Sequence, residues 1–215
     1  MTDFQKVIYE SLFWSEGIAA LISILYYNRI KNQSWKYFVF YLIFIFLCEA
    51  IGKWGSLFID YNKQAFYNYF VIPVQFIFFF WLYAAKSFEK QKTFLILSGI
   101  YLLSFIPSEF ILDTDNVMFS INYTFGCLIL MILVVMEYYK QINSSNILNF
   151  SKNPMFYINL GVTLFYIGTL PFWTFFPLIR TYREIYNIYF AYFLISGIVM
   201  YLLFSISFIW GKQNS

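Results

Sequence analysis

The residues of this chain that could do chemistry are few, and the most informative of them sit inside long apolar runs. Glu16, Glu49, Lys53 and Glu109 are ionisable, and the amides Gln75 and Asn122 fall at comparable positions in their own runs. An ionisable side chain at membrane depth is expensive, so it normally faces a bundle interior or a watery cavity and marks a functional site. Glu49 and Lys53 are spaced i, i+4 with Glu first, which places them on one helical face in the favoured order for an ion pair. Three readings stay open for them: a structural pair within one helix, a cavity wall facing a ligand, or a lysine that snorkels to the surface. Glu16 has no charged neighbour at helical spacing in its own segment. It meets Lys53 or another polar group across the bundle, or it is neutral and hydrogen-bonded between helices. Beside an aqueous cavity it would suit proton coupling or cation binding.

Much other chemistry is absent. The chain contains no histidine, which removes Ser-His-Asp triads, Cys-His pairs, imidazole metal sites and phospho-accepting histidines. Cys48 and Cys127 lie far apart in separate apolar runs and read as buried small hydrophobes rather than a bridge. There is no GxGxxG, P-loop or CxxC motif. No metal site and no cofactor is expected. A net charge of +3 without a long basic run gives no footprint for nucleic acid.

These residues need a scaffold, and the composition dictates its class. Of 215 residues, 61% are hydrophobic, 26% aromatic and 12% charged. A soluble domain carries about 25% charged residues, and a fold of this length could not hide so much apolar surface from water. The expected class is an all-α polytopic membrane protein. Seven apolar stretches approach spanning length: Val7 to Tyr27, Tyr37 to Phe58, Phe66 to Ala85, Thr93 to Leu112, Val117 to Tyr139, Met155 to Leu178 and Ile188 to Trp210. They are continuous rather than alternating, which favours helices over barrel strands. The fourth and fifth are joined by the acidic turn Asp113-Thr114-Asp115-Asn116, and all the loops are short. The expected organisation is therefore a single seven-helix transmembrane domain over 1–215, whose first span is not a cleaved signal peptide.

Lys and Arg collect on the cytoplasmic side of a membrane. One set of loops holds nine of them (Arg29, Lys31, Lys36, Lys86, Lys90, Lys92, Lys140, Lys152, Lys212). The other holds five (Lys6, Lys53, Lys63, Arg180, Arg183). That imbalance places the N-terminus outside and the C-terminus inside. At about 1.5 Å per residue, Glu16 and Glu49 then lie roughly 13 Å below the outer boundary. Gln75 reaches a similar depth, while Lys53, Glu109 and Asn122 lie shallower on the same side. The inner half is expected to be apolar, apart from Asn159 and an interfacial Glu137. Tyr26, Tyr27, Trp35, Trp54, Tyr138, Tyr139, Trp173 and Trp210 fit interfacial belts. Phe78-Phe79-Phe80-Trp81 fits lipid and core packing. Pro73, two residues before Gln75, and Pro171 are expected to kink their helices at mid-span. Gly161, Gly168, Gly197 and Ser205 offer small-residue packing surfaces within or between chains.

An offset of 119 residues superposes Trp54 on Trp173, Tyr67 on Tyr186 and Asn68 on Asn187. Helices one to three would then repeat as five to seven with helix four as linker, a parallel 3+1+3 plan.

The Glu49 context, Tyr67-Asn68, and Asn153-Pro154-Met155-Phe156-Tyr157-Ile158-Asn159 together resemble an uncharacterised family of small bacterial seven-helix membrane proteins. The chain is also similar in plan to the seven-helix membrane input modules of sensor kinases. The resemblance implies a multi-pass protein of the bacterial cytoplasmic membrane that passes its output to a separate partner, and it brings no catalytic residues. The Phe, Tyr, Ile, Asn and Lys bias points likewise to an AT-rich bacterial genome.

The expected function is a non-enzymatic sensory or partner-docking module. Its polar pocket, built from Glu16, Glu49, Lys53, Gln75, Glu109 and Asn122, occupies the outer half of the bundle. Its partners would be the lipid bilayer, a membrane protein or a second copy, and a small-molecule ligand. One alternative is a small-solute carrier using the same pocket. A second is a carboxylate-dependent intramembrane lipid hydrolase.

Overall fold

The computed structural model describes residues 3–106, 121–144 and 147–211. No strand occurs among these residues. Six helices are long and apolar enough to cross a membrane: α1 (Asp3–Leu25), α2 (Lys36–Leu57), α3 (Lys63–Ser87), α5 (Asn122–Ile142), α6 (Pro154–Thr174) and α7 (Arg183–Trp210). Between α3 and α5 lies a shorter apolar helix, α4 (Gln91–Leu103). The remainder of the fourth expected span, with Glu109 and the Asp113–Asn116 turn, lies outside the described residues.

The boundaries follow local chemistry. Asn62 caps α3 by accepting from the Ala65 amide at 3.0 Å. Asn153 caps α6 by accepting from the Met155 amide at 3.0 Å, and Pro154 occupies the first turn, where its missing N–H costs nothing. The chain leaves α6 earlier than its apolar run implies. α6 stops at Thr174, and a separate short helix, Phe176–Ile179, carries the remaining apolar residues.

In the bundle α1 packs against α7 and α2, α6 against α7, α5 against α3 and α6, and α4 against the end of α3 and against α5. The interior is dominated by aromatic rings. Phe38, Phe76, Phe79, Phe80, Tyr83, Tyr101, Tyr166, Phe172 and Phe204 are fully buried. Outward faces carry Leu21, Leu25, Leu47, Ile132, Val135, Ile188 and Leu202 in full exposure. An apolar exterior around an aromatic interior is what lipid, not water, solvates. The chain is a multi-pass membrane protein.

The prolines act differently from the expected kinks. Two helices widen into a π-helical turn just ahead of a proline: Tyr67–Val71 before Pro73, and Thr163–Ile167 before Pro171. A proline ring collides with the carbonyl four residues earlier. Those carbonyls belong to Tyr69 and Ile167, and both lie inside the widened turns. A third π-helical turn, Trp81–Ser87, ends α3 without a proline. Each turn rotates the side chains beyond it relative to an ideal helix.

Small residues set the closest approaches, all within the chain. A Cβ on Gly161 would stand 3.3 Å from the Met200 backbone, and one on Gly126 would stand 2.8 Å from the buried Phe76 ring. Gly99, in contrast, faces open space. We expect Gly126→Ala to lower stability by about 1–3 kcal/mol through overpacking. Gly99→Ala should raise it by about 0.5–1 kcal/mol through helix propensity. Thermal unfolding in detergent should give midpoint shifts of opposite sign.

Candidate functional site

Four helices deliver polar side chains to one level of the bundle. Glu16 comes from α1, Glu49 from α2, Tyr67 and Gln75 from α3, and Tyr201 from α7. Together with Tyr9, Leu12, Lys63, Gln64, Val71, Ile72, Tyr123, Phe165, Tyr166 and Phe193 they line a cavity of about 450 Å³. The exposed Tyr9, Lys63 and Gln64 form its rim, so it opens at the end where α1 and α3 begin.

The hydrogen bonding in this cavity is uneven. Glu49 accepts from the Tyr67 hydroxyl at 2.8 Å. Gln75 accepts from the Tyr166 hydroxyl at 3.1 Å through Oε1. Tyr201 faces Glu16 and Tyr41 faces Tyr166. Glu16 is 6% exposed, yet its Oε2 has no hydrogen-bond partner. The two carboxylates are close enough to interact electrostatically. Lys63, at the rim and 5.9 Å from the Tyr67 ring centre, is the only cation among the described residues that line the cavity. The π-helical turns explain the tyrosines. Tyr67 opens one turn and Tyr166 lies in another, so the same distortions that accommodate Pro73 and Pro171 turn two hydroxyls onto Glu49 and Gln75. Gly52 is required as well, because a Cβ there would strike the Tyr67 hydroxyl.

Beneath the cavity the rings close. Tyr166 packs on Phe76 and Phe79 at 5.6 and 5.4 Å between centroids, and Phe79 continues to Phe204 and Phe38. Deeper still is a separate polar layer. Asn159, fully buried, accepts from Tyr83 at 2.9 Å through Oδ1 and donates to the Val134 carbonyl at 3.4 Å. Thr163 donates to the Asn159 carbonyl at 2.7 Å and meets Tyr138 at 3.0 Å. At the far end Glu137, 2% exposed, accepts from Ser87 and from Gln141. The turn Trp81–Ser87 supplies both Tyr83 and Ser87 to these groups.

Several expectations change against this geometry. Lys53 does not pair with Glu49 and does not line the cavity. It pairs with Glu10 of α1 and lies 4.6 Å from the Phe13 ring centre. The partners divide differently: Tyr67 donates to Glu49, while the exposed Glu10 of α1 holds Lys53. Asn122 is buried in α5 but the cavity-lining residue is its neighbour Tyr123. Glu109 lies outside the described residues. Glu137 is buried against protein at the far end of α5. Trp173 is buried, its ring packed by Tyr123, Phe176 and Phe193. Among the candidate residues, the structure brings Glu16, Glu49 and Gln75 together. The tyrosines and Lys63 were missed. Pro73 and Pro171 are the only sequence signal that could have pointed to Tyr67 and Tyr166.

Cys48 and Cys127 are buried and free. No group of three or more His, Cys, Asp or Glu side chains suited to a metal ion occurs among the described residues. Comparison of the chain with protein-family models, with curated proteins and with solved structures finds no match.

Removing one partner of a buried polar pair costs about 1–3 kcal/mol, whereas an exposed ion pair contributes about 0–1 kcal/mol. Tyr83→Phe, which strips Asn159 of its donor, should therefore lower the unfolding midpoint clearly. Glu10→Gln, which opens the rim pair with Lys53, should barely move it. Parallel melts of the two variants check this ranking.

Proposed function

We propose that this chain is a non-enzymatic seven-helix module of a bacterial cytoplasmic membrane that binds a small ligand in its outer-half cavity. Occupancy would be relayed to a membrane partner or a second copy. The supporting observation is the cavity itself. Glu16, Glu49 and Gln75 converge from three helices on about 450 Å³ of space that opens at one end and is floored by packed rings. This volume falls within the range of small-molecule sites, about 300–1,000 Å³.

In this reading α4 is the first part of the fourth of seven spans. The lysine-rich end around Lys86, Lys90 and Lys140 faces the cytoplasm, so the rim with Tyr9 and Lys63 faces outward. The parallel 3+1+3 repeat belongs to the same proposal.

A carrier is the second reading, and the Asn159 layer is what favours it. The inner half is less apolar than its sequence implies, since Tyr83, Asn159, Thr163 and Tyr138 give a solute polar contacts beyond the floor. Between that layer and the cavity, however, stand the buried rings of Phe79 and Phe204. A lipid hydrolase built on Glu16, Glu49 or Asp113 has less support, because the two cavity carboxylates are walled by tyrosine rings with no described group placed to orient an ester.

The test is a thermal-shift screen of small metabolites on purified protein. A ligand at about 100 times its Kd stabilises by about 2.7 kcal/mol, a rise of several degrees. Hits should lose their effect on Val71→Trp, in which an indole fills the cavity at a buried lining position. Proteoliposomes should bind the same hits without accumulating them. Uptake that disappears in Glu49→Gln would replace the sensor with a carrier. Hits that stabilise Val71→Trp as well as the parent chain would remove the cavity from the mechanism.

A further inference from the structure

The chemistry of the cavity narrows the class of its occupant. Glu16, Glu49 and Gln75 set open hydrogen-bond acceptors in its lining: the free Oε2 of Glu16, the oxygens of Glu49, and Oε1 of Gln75, which keeps a lone pair after accepting from Tyr166. A buried carboxylate oxygen that accepts nothing is costly, and such atoms call for a missing donor. The Tyr67 hydroxyl is already spent on Glu49. No described cation reaches salt-bridge distance of either carboxylate, since Lys53 is held by Glu10 and Lys63 stays at the exposed rim.

Two further features separate the possible cations. A single metal ion needs a closed set of ligands at about 2.0–2.6 Å, and about 450 Å³ is far more space than that requires. The remaining walls are mostly aromatic, with Leu12, Val71 and Ile72 among the rings. Ring faces attract an organic cation and bury its apolar body. An alkylammonium has three donors and no acceptor, which matches an acceptor-rich site.

Building on the ligand-binding reading above, we propose that the cavity takes a primary organic amine in its protonated form. The ammonium would lie among Glu16, Glu49 and Gln75, with its apolar body against the tyrosine and phenylalanine rings toward the rim. Lys63 then has a definite role. It is a tethered cation over the Tyr67 ring at the mouth, placed where it disfavours dications and leaves room for a single charged head to pass.

Calorimetric titration of the full chain in nanodiscs tests this, with phenethylammonium as probe and 2-phenylethanol and phenylacetate as its neutral and anionic counterparts. A hydrogen bond to a charged group contributes about 1.5–3 kcal/mol. The ammonium should therefore bind at least about ten-fold tighter than the alcohol, and the anion weakest. Glu16→Gln and Glu49→Gln should each remove that preference. The alcohol should bind both variants as it binds the parent chain, which also shows that they fold. Equal or tighter binding of the alcohol or the anion overturns the ammonium assignment while leaving the cavity as a ligand site. Absence of binding by all three probes up to about 10 mM, a range where affinity is worth less than about 3 kcal/mol, also overturns it. The screen on Val71→Trp then decides independently whether the cavity binds anything.

Discussion

A carboxylate inside an apolar bundle must be matched, and most of this molecule can be understood from how it matches three. Charge that is left unpaired in a low-dielectric interior costs several kcal/mol, so each buried acid recruits helices around it. Glu137 is matched fully, by Ser87 at the end of α3 and by Gln141 one turn along its own helix. Glu49 is matched in part, by Tyr67. Glu16 keeps one oxygen without a partner. The gradient runs from a satisfied structural acid at one end of the bundle to an unsatisfied one in the cavity at the other. Structural roles explain the first acid, and the proposed occupant would explain the last.

The matching relies on distorted helices. An ideal α3 would place Tyr67, Gln75 and Tyr83 at fixed angular intervals set by 3.6 residues per turn. Inserting π-helical turns at Tyr67–Val71 and Trp81–Ser87 resets that phase twice. It sends Tyr67 to Glu49 on α2, and Gln75 and Tyr83 to Tyr166 and Asn159 on α6. Such turns concentrate at functional sites. At Tyr67–Val71 and Thr163–Ile167 the cause is local, since the rings of Pro73 and Pro171 collide with the carbonyl four residues earlier; Trp81–Ser87 widens without a proline.

How much of this was legible in the sequence follows from the same physics. Continuous apolar runs specify spanning helices, and the described helices begin and end within a few residues of those runs wherever a cap such as Asn62 or Asn153 fixes the start. The depth of Glu16, Glu49 and Gln75 could be read from helix rise alone, since position along a helix is one-dimensional. Which neighbour each side chain meets could not. The i, i+4 spacing pointed Lys53 at Glu49, yet Glu10, 43 residues away in sequence, holds it. The tyrosines were legible as amphipathic rings but not as cavity walls, because a regular helical wheel misplaces everything beyond a π-helical turn.

The same arrangement bears on how occupancy could leave the cavity. Glu16, Glu49, Gln75 and Tyr201 belong to α1, α2, α3 and α7, and α1 is packed against both α2 and α7. In the proposed reading, a head group held by the carboxyl groups of α1 and α2 would draw those two helices together. The floor of Phe79, Phe204 and Phe38 is packed ring on ring, and close-packed interiors transmit strain. A change in spacing at the cavity would then pass through the ring layer toward the Asn159 and Glu137 levels. Opening a path for the ligand itself would require those rings to part. Transmission asks less of this bundle than translocation does, and that asymmetry is the physical ground for reading it as a sensor.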